Sequence, residues 1–189
     1  SLDAPAILDV SNPATPQFVA TLLNVNDALQ IWVDGGIAYL SRQSGLSIIE
    51  VSDPSMPEEV ASVPLTGGRE LLLDGSVLYI GEGPNLKVLN VADPANPAEL
   101  DTISLGFDVS LDMAIRADTL FVAAGHAGFR AYDVTNPANC VQVGGYYTSG
   151  FVRGVTVVAG RIYVAASKQG LVVLPNVQFT VRVDATPGA

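Results

Sequence analysis

The sequence predicts an all-β fold made of repeated four-stranded antiparallel sheets, and three observations carry that prediction. One motif recurs as Leu8-Asp9-Val10-Ser11-Asn12-Pro13, Ile49-Glu50-Val51-Ser52-Asp53-Pro54, Leu89-Asn90-Val91-Ala92-Asp93-Pro94 and Tyr132-Asp133-Val134-Thr135-Asn136-Pro137, its prolines 41, 40 and 43 residues apart. An aromatic residue keeps the same register at Tyr39, Tyr79, Phe121 and Tyr163, at intervals of 40, 42 and 42 residues. The composition, 49% hydrophobic and only 15% charged with 18 Gly and 12 Pro, suits short strands between tight turns rather than disorder. Four strands in about 40 residues is the unit of a β-propeller blade, whereas a solenoid turn usually takes roughly 20–30 residues and fewer strands. The expected fold is therefore a β-propeller of four-stranded antiparallel blades, either four blades or a fragment of a larger propeller.

Each element follows from local chemistry. Leu29–Val33 is a short apolar run closed by Asp34-Gly35-Gly36, a tight-turn signal, and Ile37–Ser41 follows at hairpin spacing. Ser44-Gly45 turns the chain into Leu46–Val51, and Ser52–Pro57 turns it into Glu59–Val63. The same grammar repeats over Leu71–Leu73, Val77–Ile80 and Leu86–Leu89, then over Met113–Ile115, Leu120–Ala123 and Phe129–Tyr132. It appears once more over Val155–Val158, Ile162–Ala165 and Leu171–Leu174. The ends do not balance. The N-terminus supplies third and fourth strands (Ala6–Val10, Phe18–Leu22), and the C-terminal part supplies a first, second and third. Two arrangements follow. Either Phe18–Leu22 completes the last blade and leaves one strand surplus, or the chain is a stretch of a larger propeller. Residues 1–175 are assigned to the propeller and 176–189 to a tail. In that tail Val177, Phe179, Val181 and Val183 alternate with polar residues, as in a half-buried strand. The tail reads either as a strand exchanged with a partner, which assembled head to tail builds filaments, or as the start of another domain.

Charge excludes several roles. A net charge of −10 disfavours nucleic acid and anionic membranes, both of which select Lys and Arg. No apolar run approaches the ~20 residues of a membrane helix, so no membrane insertion is expected. The start shows no signal-peptide pattern, which suits a processed chain or an excised fragment. A single cysteine, Cys140, permits no internal disulfide and leaves the redox compartment open.

The repeated motif, with its Pro-x-x-Pro step, resembles the LVIVD repeat over roughly residues 6 to 175. The resemblance implies a propeller and a place among bacterial and archaeal cell-surface proteins. It brings no shared catalytic residues. Glu50 and Asn90 depart from the motif aspartate, Cys140 stands at the second proline, and Pro175 breaks the last copy.

Functional candidates are few. Asn12, Asp53, Asp93 and Asn136 are expected to accept hydrogen bonds from backbone two residues on, building turns rather than a calcium site. The one histidine, His126, lies between a second and a third strand, so a Ser-His-Asp triad is not expected. No metal, cofactor or catalytic residue is expected. The first strand of each blade should line the channel, which places Gln30, Glu70, Asp112 and Gly154 at one level and Leu29, Arg69, Leu111 and Arg153 just before them. Gln30, Arg69, Glu70, Asp112 and Arg153, with the loop aromatics Phe107 and Phe151, form the candidate ligand or channel face. Val177, Phe179, Val181 and Val183 form the candidate self-association strand. The expected function is a non-enzymatic, extracellular or cell-surface structural or interaction module. Its partners are expected to be copies of itself or another surface protein. A lectin-like or peptide-binding propeller is the alternative.

Overall fold

The computed structural model describes residues 5–22, 25–106 and 110–175, and the chain forms seventeen β-strands and no helix among them. The first sheet pairs β1 (Ala6–Asp9) with β2 (Gln17–Thr21). The second orders β3 (Ala28–Asp34), β4 (Ile37–Arg42), β5 (Gly45–Glu50) and β6 (Glu58–Pro64) as a meander. The third holds β7 (Gly68–Asp74), β8 (Val77–Glu82), β9 (Asn85–Asn90) and β10 (Ala98–Ser104). The fourth holds β11 (Asp112–Arg116), β12 (Thr119–Ala123), β13 (Phe129–Asp133) and β14 (Val141–Tyr146). The fifth has three strands, β15 (Val152–Val158), β16 (Arg161–Ala166) and β17 (Gly170–Pro175).

The inner strands β3, β7, β11 and β15 stand beside one another in sequence order, so the sheets are blades arranged radially. Successive side chains on a strand point to opposite faces, so each blade has a front turned to the next blade and a rear turned to the previous one. The front of the second blade (Tyr39, Leu46, Ile48) meets the rear of the third (Leu71, Leu78, Ile80, Leu89). The front of the third (Tyr79, Leu86, Val88) meets the rear of the fourth (Met113, Leu120, Val122, Tyr132). The front of the fourth (Phe121, Phe129, Ala131) meets the rear of the fifth (Val155, Ile162, Val164). Tyr39, Tyr79 and Phe121 of the second strands therefore each fill a blade–blade core, which explains their fixed register, and Tyr163 holds the same position on the front of the fifth blade.

The turns form as their residue types dictate. The Oδ1 atoms of Asn12, Asp53, Asp93 and Asn136 accept from the N–H two residues on at 3.2, 2.9, 3.1 and 3.2 Å. Asp9, Glu50, Asn90 and Asp133 accept in the same way from Ser11, Ser52, Ala92 and Thr135 at 2.8–2.9 Å. Glu50 and Asn90 thus keep the motif aspartate's bond. One polar pair also recurs between third and fourth strands: Ser47 with Glu59 at 2.6 Å, Lys87 with Glu99 at 2.7 Å, and Arg130 with Gln142 at 3.0 Å.

The blades form an open arc. β2 pairs with β1, and among the described residues no ladder joins it to β17, so the arrangement in which Phe18–Leu22 completes the last blade is not the one adopted. The ends show it in exposure. Leu46, Leu86 and Phe129 are at most 1% exposed, but Leu171, at the same position of the fifth blade, is 65% exposed and Val173 beside it 42%. At the other end Leu71, Met113 and Val155 are 3%, 9% and 5% exposed, while the equivalent Ile31 is 55% exposed. Val33 and the first-sheet residues Leu8 and Val10 are open as well. Strands 1 and 2 of a preceding blade would cover Ile31 and Val33, and the first sheet has only strands 3 and 4; Leu8 and Val10, the counterparts of Leu89 and Val91, lie on that sheet's own rear.

Candidate functional site

The inner strands place the polar level that the sequence pointed to. The Gln30 side-chain oxygen accepts from the Leu71 N–H of the next blade. Asp112 Oδ2 accepts from the Val155 N–H of its next blade at 2.8 Å, and Oδ1 from its neighbour Met113 at 2.9 Å. Gly154 stands against that carboxylate: a Cβ there would lie 3.5 Å from Asp112 Oδ2. Gln30 and Asp112 therefore staple successive blades along the channel wall. Their polar atoms complete backbone groups that the radial arrangement leaves without a ladder partner.

Glu70, between them, is partly buried. Burial, then the Asp112 carboxylate, pushes its carboxyl above the ordinary value, against the opposing pull of Gln30 and Arg69. The sign follows from linkage. A raised folded-state pKa means the native state holds this proton more tightly, so ionisation costs stability as pH climbs from the unfolded value through the folded one. Glu70→Gln is thus expected to raise Tm by roughly 2 °C at pH 7 and by nothing near pH 4, measured by thermal melts across that range.

Two adjoining clefts open on this wall. One, of about 110 Å³, is lined by Leu29, Gln30, Arg69, Glu70 and Leu111. The other, of about 380 Å³, is lined by Leu29, Gln43, Gly67 and Arg69. Arg69 and Leu29 belong to both, so the alternation of arginine and leucine read from the sequence brings one residue of each together. Phe151 lies at the mouth next to the fifth blade. The Arg153 guanidinium sits 4.9 Å over its ring, and His126 meets it edge-on at 4.6 Å. His126, placed between a second and a third strand, is thus also a ring partner of Phe151, a contact that a separation of 25 residues keeps out of any local pattern. Phe107 and the strand candidate Val177, Phe179, Val181 and Val183 lie outside the described residues.

Cys140 serves packing. Its N–H donates to Asp101 Oδ2 of the previous blade at 2.7 Å, and burial, then Asp101, pushes its thiol up to about 12. The thiolate is the reactive form, so the native protein should resist maleimide at pH 8 and react fully only when unfolded. Mass spectrometry of timed labelling measures this. Among the described residues no three His, Cys, Asp or Glu side chains come together as a metal set.

Comparison with known proteins agrees with the architecture. The LVIVD repeat model matches residues 6–23 and 26–64, so that part of the chain is similar to LVIVD repeats. The third and fourth blades repeat the strand order and the Asx turns, and the fifth repeats three of the four strands. No curated protein matches the chain in sequence. Among solved structures, a protein from Lactobacillus plantarum is 10% identical with a TM-score of 0.78, over 92% of this chain and 61% of that one. The periplasmic gluconolactonase of Pseudomonas aeruginosa is 15% identical with a TM-score of 0.75, over 90% of this chain and 58% of its own. The computationally designed Ika4 protein is 10% identical with a TM-score of 0.70, over 84% of this chain and 98% of the design. The chain thus spans about three-fifths of the two natural proteins, and these likenesses establish its fold alone.

Proposed function

We propose that this LVIVD-repeat β-propeller module is a non-enzymatic, extracellular or cell-surface structural or interaction module. The carrying observation is that the recurring residues of the blades serve architecture: Tyr39, Tyr79 and Phe121 fill the blade–blade cores, and Asn12, Asp53, Asp93 and Asn136 close turns. The cell-surface placement rests on what the LVIVD resemblance implies. The non-enzymatic reading is supported by the histidine packed on Phe151 and by the weakly acidic thiol of Cys140. The test replaces the exposed Tyr147 with the photo-cross-linking residue benzoylphenylalanine in the native cell. A discrete protein adduct is expected at that position, and irradiation yielding none would contradict the reading.

A second reading, capture of a small polar ligand or glycan at the channel mouth, is favoured by Arg69 and Glu70 converging on one cleft. A glycan array with Phe151→Ala and Arg69→Ala controls tests it. Binding lost in both variants supports it, and absence of binding by the wild type removes it.

A further inference from the structure

We infer that the cleft on the channel wall takes a small zwitterion, an apolar α-amino acid, with Arg69 receiving its carboxylate, Glu70 its ammonium group, and Leu29 and Leu111 its side chain. The inference rests on the ligand-capture reading of that cleft and names the ligand class. Two observations carry it.

The first is a bulge. Along β7 and β8 the register steps from Gly68 opposite Glu82 to Leu71 opposite Ile80, so Arg69 and Glu70 share the single partner Gly81. Neighbouring residues of a regular strand point to opposite faces, and a bulge breaks that alternation for the pair it holds. Arg69 and Glu70 accordingly line one cleft of about 110 Å³ with Leu29, Gln30 and Leu111. The same step in β3 and β15 holds Leu29 with Gln30 and Arg153 with Gly154. Of these three bulges, only the one in β7 carries an ion of each sign. The cleft is built by the second, third and fourth blades, each with all four strands, so it does not depend on the ends of the arc.

The second is that the two charges are not spent on each other. Arg69 is exposed and makes no ion pair with any described residue. Among the influences on the Glu70 carboxyl, its pull is the smallest, behind burial, Asp112 and Gln30. The Gln30 side chain, pinned by the Leu71 N–H, also hydrogen-bonds the Glu70 carboxylate and so holds it in place. A simple anion here would meet Glu70, and a simple cation would meet Arg69, so each leaves a like charge opposed. A molecule bearing both charges satisfies both, the guanidinium gripping its carboxylate in two-point fashion. Consecutive residues on one strand require those charges to lie close together, as on a single α-carbon. The adjoining cleft of about 380 Å³, which shares Leu29 and Arg69, leaves room for the apolar side chain.

NMR titration of the whole chain at pH 7 with L-leucine and L-phenylalanine, up to about 10 mM, tests this. Dissociation constants of about 1 mM or tighter are expected. N-acetyl-L-leucine and L-leucinamide each lack one charge, and each should bind at least ~10-fold more weakly than L-leucine. Arg69→Ala should abolish the preference over leucinamide, and Glu70→Gln the preference over N-acetyl-leucine. A residue acting only through structure would weaken all three probes alike, and thermal melts identify the folded variants. Absence of binding by both amino acids would overturn the inference. So would equal binding of the blocked forms, or uniform weakening of all probes in a folded variant. If the amino acids fail while glycans bind in an Arg69-dependent way, the zwitterion falls and ligand capture at the cleft stands; if both fail, both fall.

Discussion

Leu86→Ala is expected to destabilise the protein by about 3 kcal/mol, while Leu171→Ala at the same blade position changes monomer stability by less than about 0.5 kcal/mol. Leu86 is fully buried between the third and fourth blades among Tyr79, Val88, Leu120 and Val122, so truncation loses transfer energy and leaves a cavity that the packed sheets cannot collapse. Leu171 keeps the Val and Leu two and three residues on, and among the described residues no blade stands in front of it. At about 2–4 °C per kcal/mol for a chain of this size, the first variant should melt roughly 6–12 °C below wild type and the second within about 2 °C of it. Calorimetry measures both. Equal losses would mean that the fifth blade is covered and that the arc is closed.

Asp112→Ala is the second large effect. Asp112 accepts from its own strand and from Val155 of the next blade, and both bonds are charge-assisted. Removing it leaves two N–H groups at a half-buried seam, an expected loss of about 2 kcal/mol. Asp112→Asn keeps one acceptor oxygen and should lose about half as much. Denaturant unfolding of the two variants reads the order. If Asn is as damaging as Ala, the residue acts through its charge on the channel rather than as a staple. Amide exchange adds a local readout: the Val155 N–H should exchange faster in the Ala variant than in wild type.

These effects show which parts of the molecule its sequence declares. The blade grammar was legible because it is local. Asn12 and its equivalents close their turns two residues away, and Tyr39 and its equivalents mark one strand in every copy. The polar inner level was legible as a position, since Gln30, Glu70 and Asp112 align. Its use was not, because the acceptors of Gln30 and Asp112 engage N–H groups 41 and 43 residues on, across a blade boundary. Coverage was hidden altogether. Leu86 and Leu171 are the same residue in the same motif position, and only the presence of a neighbouring blade separates 0% from 65% exposure. The unequal strand count at the two ends was the one sign of it.

Hydroxyl-radical footprinting of dilute protein, read residue by residue, tests the open arc most directly. It is expected to oxidise Leu171, Val173 and Ile31 while sparing Leu46, Leu86, Phe129 and Leu71. Leu171 as protected as Leu86 would contradict the arc.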